Sequence, residues 1–241
     1  MKDTHRTSML DCHHPSNNLL RMERITLGKM RNPVRGFLHG GAAIATIVGL
    51  GFLLARAWGN APAIAGALIF GIALLIMFTI SSLYHSIPWG EDWKGRLQRV
   101  DHSMIYLVVA GTFTPIAIAS LDGAALAIGL SLLWSIALVG ILLKAFLPNV
   151  KTYLSVTLQM AMGWLTLLFV PAIYSRLGLG AIFFIFLGGL CYSVGVIIFT
   201  TKRPKLWHRG FSYHELFHVL VIAGSLFHFI AILVYAIPAT V

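Results

Sequence analysis

The sequence predicts an all-α integral membrane protein: a bundle of seven transmembrane helices, N-terminus cytoplasmic and C-terminus outside. Three observations carry this. Of 241 residues, 58% are hydrophobic and only 11% charged, whereas a soluble domain is about half apolar and a quarter charged. Apolar runs of roughly 20 residues, the length that crosses a bilayer as helix, recur along the chain. The basic residues concentrate in alternate connectors between those runs, the signature of membrane orientation.

The chain opens with a polar segment, 1–31, rich in His, Asn and Arg and read as a basic cytoplasmic tail; residues 32–241 are read as the transmembrane domain. His5, Cys12, His13 and His14 belong to that tail and are read as solvated rather than metal-binding. The segment has no short apolar core before a small-residue cleavage site, so no cleavable signal peptide is expected. Spans follow near 36–57, 61–87, 101–120, 124–146, 152–174, 179–200 and 212–237. Connectors as tight as Leu121-Asp122-Gly123 place neighbouring spans side by side and antiparallel. Cys12 and Cys191 lie in the tail and in a late span and suggest no disulfide.

The formal charge of +10 raises nucleic acid as a partner, and the distribution of the charge removes it. Lys2, Arg6, Arg21, Arg24, Lys29, Arg31 and Arg35 lie in or beside the tail. Lys94, Arg96 and Arg99 fall between spans 2 and 3, Lys144 and Lys151 between spans 4 and 5. Lys202, Arg203, Lys205 and Arg209 fall between spans 6 and 7. The alternate connectors hold only Arg56 and Arg176. Sixteen basic residues against two orient the bundle with the N-terminus inside.

Orientation converts sequence position into depth. Ser81 and His85 lie near the cytoplasmic end of span 2, Asp101 and His102 at the start of span 3, and His214 and His218 in the first turns of span 7. His39, early in span 1, shares that level. His214 and His218 are four apart, so their rings leave one helix face and can grip one ion. Ser81 and His85 have the same spacing. With His85 as a third nitrogen, a zinc ion would keep one position open for water, and Asp101 could hydrogen-bond that water and take its proton. Ionisable groups are costly at membrane depth unless paired or coordinated, and a metal would offset the cost.

Plainer readings stand beside these. His39 and His102 can be interfacial or hydrogen-bonded residues, and Asp101 at a helix start can serve the helix dipole. His228 lies ten residues beyond His218, about 15 Å deeper at 1.5 Å per residue, and reads as a packing residue. His214-Glu215-Leu216-Phe217-His218 also fits H-E-x-x-H, the zinc-protease pattern in which the glutamate activates water. Its third ligand would be Asp122, which topology puts on the far side of a hydrocarbon layer ~30 Å thick. Ser212-Tyr213-His214-Glu215 fits a capping box instead, which makes Glu215 a helix cap.

Three separated motifs resemble the progestin and adipoQ receptor family, in its bacterial haemolysin III-like branch. They are Ser81-Ser82-Leu83-Tyr84-His85, the run from Val100-Asp101-His102-Ser103 to Gly111-Thr112-Phe113-Thr114-Pro115, and His214-Glu215-Leu216-Phe217-His218 with His228 following. The likeness covers residues 32–237. It implies seven spans and zinc on His85, His214 and His218, with Asp101 and Ser81 beside the metal-bound water.

The activity expected is zinc-dependent hydrolysis of an acyl lipid amide or ester, in membrane lipid homeostasis. Asp101 is the base and then the proton donor, Ser81 steadies the carboxylate, water or oxyanion, and the acyl chain enters from the inner leaflet. The alternatives are a non-enzymatic, lipid- or fluidity-responsive protein with a structural zinc, and a pore-forming haemolysin. The last is disfavoured because no span carries a strongly polar stripe.

Overall fold

A computed structural model of the chain describes residues 30, 32–147, 151–206 and 211–240. Of the tail expected at 1–31 only Met30 and its boundary fall within this range; His5, Cys12, His13 and His14 lie outside the described residues. Among the described residues the regular structure is helical. The long helices are α1 (Pro33–Arg56), α2 (Ala61–Ser86), α3 (Glu91–Ser120), α4 (Gly123–Phe146), α5 (Thr152–Leu165), α6 (Val170–Thr201) and α7 (Tyr213–Ala231), with a final turn α8 (Ile237–Thr240). By length and apolar content, six helical stretches suffice to cross a membrane, one of them the 49-residue stretch Tyr153–Thr201.

Local sequence explains the boundaries. Asn60 caps α2 by accepting from the Ala63 N–H at 2.9 Å, and Pro62 follows within the first turn, where a missing N–H costs nothing. Pro171 does the same at the start of α6, after a single 3₁₀ turn, Thr166–Phe169. Gly178 then leaves the helical region altogether (φ 76°, ψ 179°), a conformation open to glycine and strained for other residues. The helix therefore breaks between the two runs expected at 152–174 and 179–200. The last span carries a π-helical turn at Ile232–Ala236 before it ends.

The third span is the one displaced from expectation. It begins at Glu91, ten residues before the expected 101, because 91–100 is helical but too polar for an apolar window to include. Asp101 is therefore about three turns inside α3. Its reading as a residue at a helix start is corrected by this.

α3 is the most buried span and forms the centre of the bundle, whereas α1, α4 and the 153–201 stretch expose most of their length. Their outward residues are apolar: Ile44 is 67% exposed, Phe146 76% and Leu179 70%. Such a belt is stable only against lipid or another apolar surface. Inside, Phe70, Met77 and Phe78 of α2 pack with Ile173 of α6 and Ile232 beyond α7. Tyr106 and Phe113 of α3 pack with Leu133 of α4 and Met162 of α5.

Small residues let helices approach closely, as membrane packing favours. A Cβ on Gly36 would stand 2.0 Å from Ser86 Oγ, so a larger residue there would require the Ser86 side chain to turn away. The seam is fastened by Ser82 Oγ donating to Gly36 O at 2.8 Å and Asn32 N–H donating to His85 O at 3.1 Å. That contact sets His39 of α1 beside α2 and α7.

Candidate metal centre

Two helices build one cluster at one end of the bundle. His85 comes from the last turn of α2, His214 and His218 from the first turns of α7. One ligand atom from each lies within 4.8 Å of the others. The ring centroids are 5.3 Å (His85–His214), 4.9 Å (His85–His218) and 5.0 Å (His214–His218) apart. Nε2 of His85 and Nε2 of His218 are buried with no hydrogen-bond partner. An orphaned buried polar atom is costly, and a cation shared among the three rings would satisfy both nitrogens at once. The residues present therefore fit a metal ion.

His39 adds a fourth imidazole, which sequence reasoning left as a plain hydrogen-bonded histidine. It does hydrogen-bond, and to a member of the cluster: its Nε2 is 2.7 Å from Nδ1 of His218. Its ring lies edge-on to Phe78 and is only 3% exposed. When His218 offers Nε2 to a metal, its Nδ1 carries the proton and donates to His39. That is the arrangement by which a neighbouring acceptor fixes the tautomer and orientation of a ligating histidine. The signal was present in the sequence only as depth, since nothing in the spacing of His39 links it to His218.

Glu215 faces elsewhere. Its carboxylate accepts the Ser212 N–H at 2.8 Å and the Ser212 hydroxyl, completing the capping box that starts α7. It also accepts from Arg35 Nε of α1 at 2.7 Å. Arg35, counted in the sequence only as an orienting charge, thus fastens α1 to α7 beside the histidines. Asp122, the ligand the protease pattern would require, pairs with Arg176 in the open. It lies beyond the C-terminus of α3, twenty-one residues from Asp101. His228 packs as expected, its Nδ1 2.9 Å from Gly224 O and its ring stacked on Tyr192.

A cavity of about 60 Å³ opens beside the cluster. His39, His214 and His218 line one wall, Ser81, Asp101 and His102 another, and Lys144, Ser155 and Gln159 a third; Met77, Ile105 and Phe199 are among its apolar residues. Ser81 is the hydrogen-bonding neighbour of the Asp101 carboxyl. The structure thus brings Ser81, Asp101, His214 and His218 to one space, with His85 against both histidines. Lys144, Ser155 and Gln159 were not singled out from sequence as site residues, because a serine and a glutamine within a span carry no metal-ligating spacing and Lys144 reads as a connector charge.

The fold and the cluster together define a class: a helical, multi-pass membrane protein with a buried histidine group at one end of its bundle. Comparison with known proteins is consistent and more specific. Residues 28–229 match the family described as haemolysin-III related, and the chain belongs to that family. It is 34% identical to the hemolysin-3 homolog of Bacillus subtilis (strain 168) over 83% of this chain and 91% of that protein. It is 30% identical to hemolysin-3 of Bacillus cereus over 90% and 97%. A 52-residue segment, 20% of this chain and 14% of the relative, is 44% identical to heptahelical transmembrane protein 4 of Arabidopsis thaliana. These relatives place the chain in the wider progestin and adipoQ receptor group that its motifs resemble, as a multi-pass protein of the bacterial cell membrane.

Proposed function

We propose that the chain is a zinc-dependent hydrolase of acyl lipid amides or esters, working at the cytoplasmic end of seven spans. The observation that supports this most is the meeting of an orphaned three-histidine group with Asp101 and Ser81 in one cavity. Three neutral imidazoles with a position left over are the donor set of catalytic zinc. Zinc held by His85, His214 and His218 supplies Lewis acidity toward water and toward a carbonyl oxygen.

The protein's own residues do the rest. Asp101 accepts a proton from water at a carboxylate oxygen and returns it to the departing amine or alcohol. Ser81 donates to that carboxylate and holds its orientation. His39 keeps Nδ1 of His218 protonated, and the apolar wall around Met77, Ile105 and Phe199 excludes bulk water. The substrate is a membrane lipid taken from the inner leaflet, its acyl chain lying among the apolar side chains.

The break at Gly178 supports the reading of seven spans. An unbroken helix of 49 residues would be about 74 Å long at 1.5 Å per residue, more than twice a hydrocarbon layer of ~30 Å. Divided at Gly178 it makes two crossings. The sixteen-to-two distribution of basic residues then supports N-terminus in and C-terminus out, and the histidine cluster lies at the inner face.

The size of the cavity favours a second reading. About 60 Å³ holds roughly two waters and no acyl chain while the helices are packed this way. A structural zinc stapling α2 to α7 in a lipid- or fluidity-responsive protein requires no more room. The lytic reading carried by the relatives' names gains nothing from a space this small.

Metal analysis of protein purified without chelator tests both zinc readings. About one zinc per chain, lost in His85→Ala and His214→Ala, is expected, and a zinc-free wild type refutes both. A panel of acyl amides and esters then separates them. With zinc retained, Asp101→Asn should lower turnover about 10²- to 10⁴-fold. Full turnover by that variant removes the base, and a zinc-loaded wild type inert on every lipid leaves the structural reading.

A further inference from the structure

We propose that the same cavity contains an anion-binding subsite built on Lys144, so that the acyl lipid it takes carries a carboxylate or phosphate near its acyl linkage. The placement near the linkage rests on the hydrolase reading; the subsite itself does not.

Lys144 lies in the last turn of α4 and is only 6% exposed. A lysine at the end of a membrane helix ordinarily reaches for water or for the helix's own carbonyls. Among the described residues Lys144 donates to no carbonyl of its helix. Its side chain lines the cavity shared by His214 and Asp101, and the carbonyl of the adjacent Ala145 accepts from Arg99 Nε at 3.4 Å. Among the described residues, no hydrogen-bond acceptor or carboxylate pairs with it, and neither Arg35–Glu215 nor Arg176–Asp122 involves it. The charged group acting on it is Arg99, of like sign, and His102 stands close by.

The other polar groups on this wall are engaged. Gln159 Nε2 donates to His102 O at 2.9 Å, and the Ser155 hydroxyl is shared with Tyr106 Oη at 3.2 Å. The ammonium of Lys144 is therefore the donor this wall has to offer. A cation that lines a cavity of a membrane bundle and has no partner from the protein is open to an anion. An anionic group provides both the counter-charge and the acceptors. Asp101 also lines the cavity, and its carboxyl is hydrogen-bonded to Ser81 of α2. A cavity of about 60 Å³ holds a carboxylate or phosphate head and brings it within a few atoms of the histidines.

The test compares two probes with the same acyl amide, N-palmitoylglycine (anionic) and N-palmitoylethanolamine (neutral). Their binding to purified full-length protein in neutral detergent is measured, and the recovered probes are checked intact by mass spectrometry. Wild type should prefer the anionic probe about 10- to 100-fold, the worth of a charge-assisted hydrogen bond. Lys144→Met should erase the preference and Lys144→Arg should keep it. Equal binding of the two probes, binding of neither, or a preference that survives Lys144→Met overturns the proposal. Displacement of N-palmitoylglycine by millimolar inorganic phosphate reassigns the subsite to small soluble anions and overturns the lipid assignment. Zinc content is measured on the same samples. A preference for the anionic probe in zinc-free protein upholds the subsite while removing the hydrolase reading, so the two failures are distinct.

Discussion

Replacing Glu215 by alanine separates a helix cap from a catalytic base. The carboxylate accepts the Ser212 N–H at 2.8 Å and Arg35 Nε at 2.7 Å, and the two ion-pair side chains are 12% and 8% exposed. Alanine leaves the Arg35 guanidinium nearly buried without a counter-ion, a loss of about 3–5 kcal/mol for a fully buried pair. It also removes a cap interaction worth ~1 kcal/mol. Both losses come from one group and do not add, and Arg35 lies in the first turn of α1, where water can approach. We expect a destabilisation of about 3 kcal/mol, equivalent to a fall of roughly 6–12 °C in Tm for a chain of this size.

The assay is thermal unfolding in detergent, with zinc content measured on the same preparations well below the transition. Glu215→Ala should unfold earlier while keeping its metal. Glu215→Gln retains an acceptor for Ser212 and should lose less. The double replacement Arg35→Met, Glu215→Leu should recover much of the loss, because it removes both buried charges together. A Glu215→Ala protein of unchanged Tm whose turnover is abolished would falsify this reasoning and restore Glu215 as the base of H-E-x-x-H.

His39→Leu should weaken zinc affinity about 10- to 100-fold in chelator competition, since His218 loses the acceptor for its Nδ1 proton. His39→Gln, whose amide oxygen can accept that proton, should recover most of the loss; equal affinity in all three proteins contradicts the assignment. Asp122→Ala should keep zinc content unchanged and leave Tm within about 2 °C, because its pair with Arg176 is mostly solvent-exposed. Loss of metal in that variant would revive the protease ligand set.

The positions of the spans were legible from hydropathy, because a helix in lipid must be apolar along its length whatever it packs against. The depth of His85, His214 and His218 followed from span position, and the i, i+4 spacing of the last two followed from helical geometry. Ser212 and Glu215 were legible as a cap because a capping box is local, closed within four residues. The start of α3 was not legible: 91–100 is helical, and its charge hides it from an apolar window.

Other facts depended on which helices touch. The hydrogen bond between His39 and His218 spans 179 residues and that between Arg35 and Glu215 spans 180. No local pattern encodes pairs so distant, and here they exist because α1 packs against both α2 and α7. Lys144 is the sharpest case. By sequence it is one more positive charge at the end of a span. Only the packing of α3, α4 and α5 turns that side chain into the cavity and leaves it without a partner. The sequence by itself determined a membrane bundle and three histidines at one depth, because lipid solvation and helical periodicity act on short stretches. The tertiary structure decided which polar groups face one another, because that is set by contacts between stretches the chain keeps far apart.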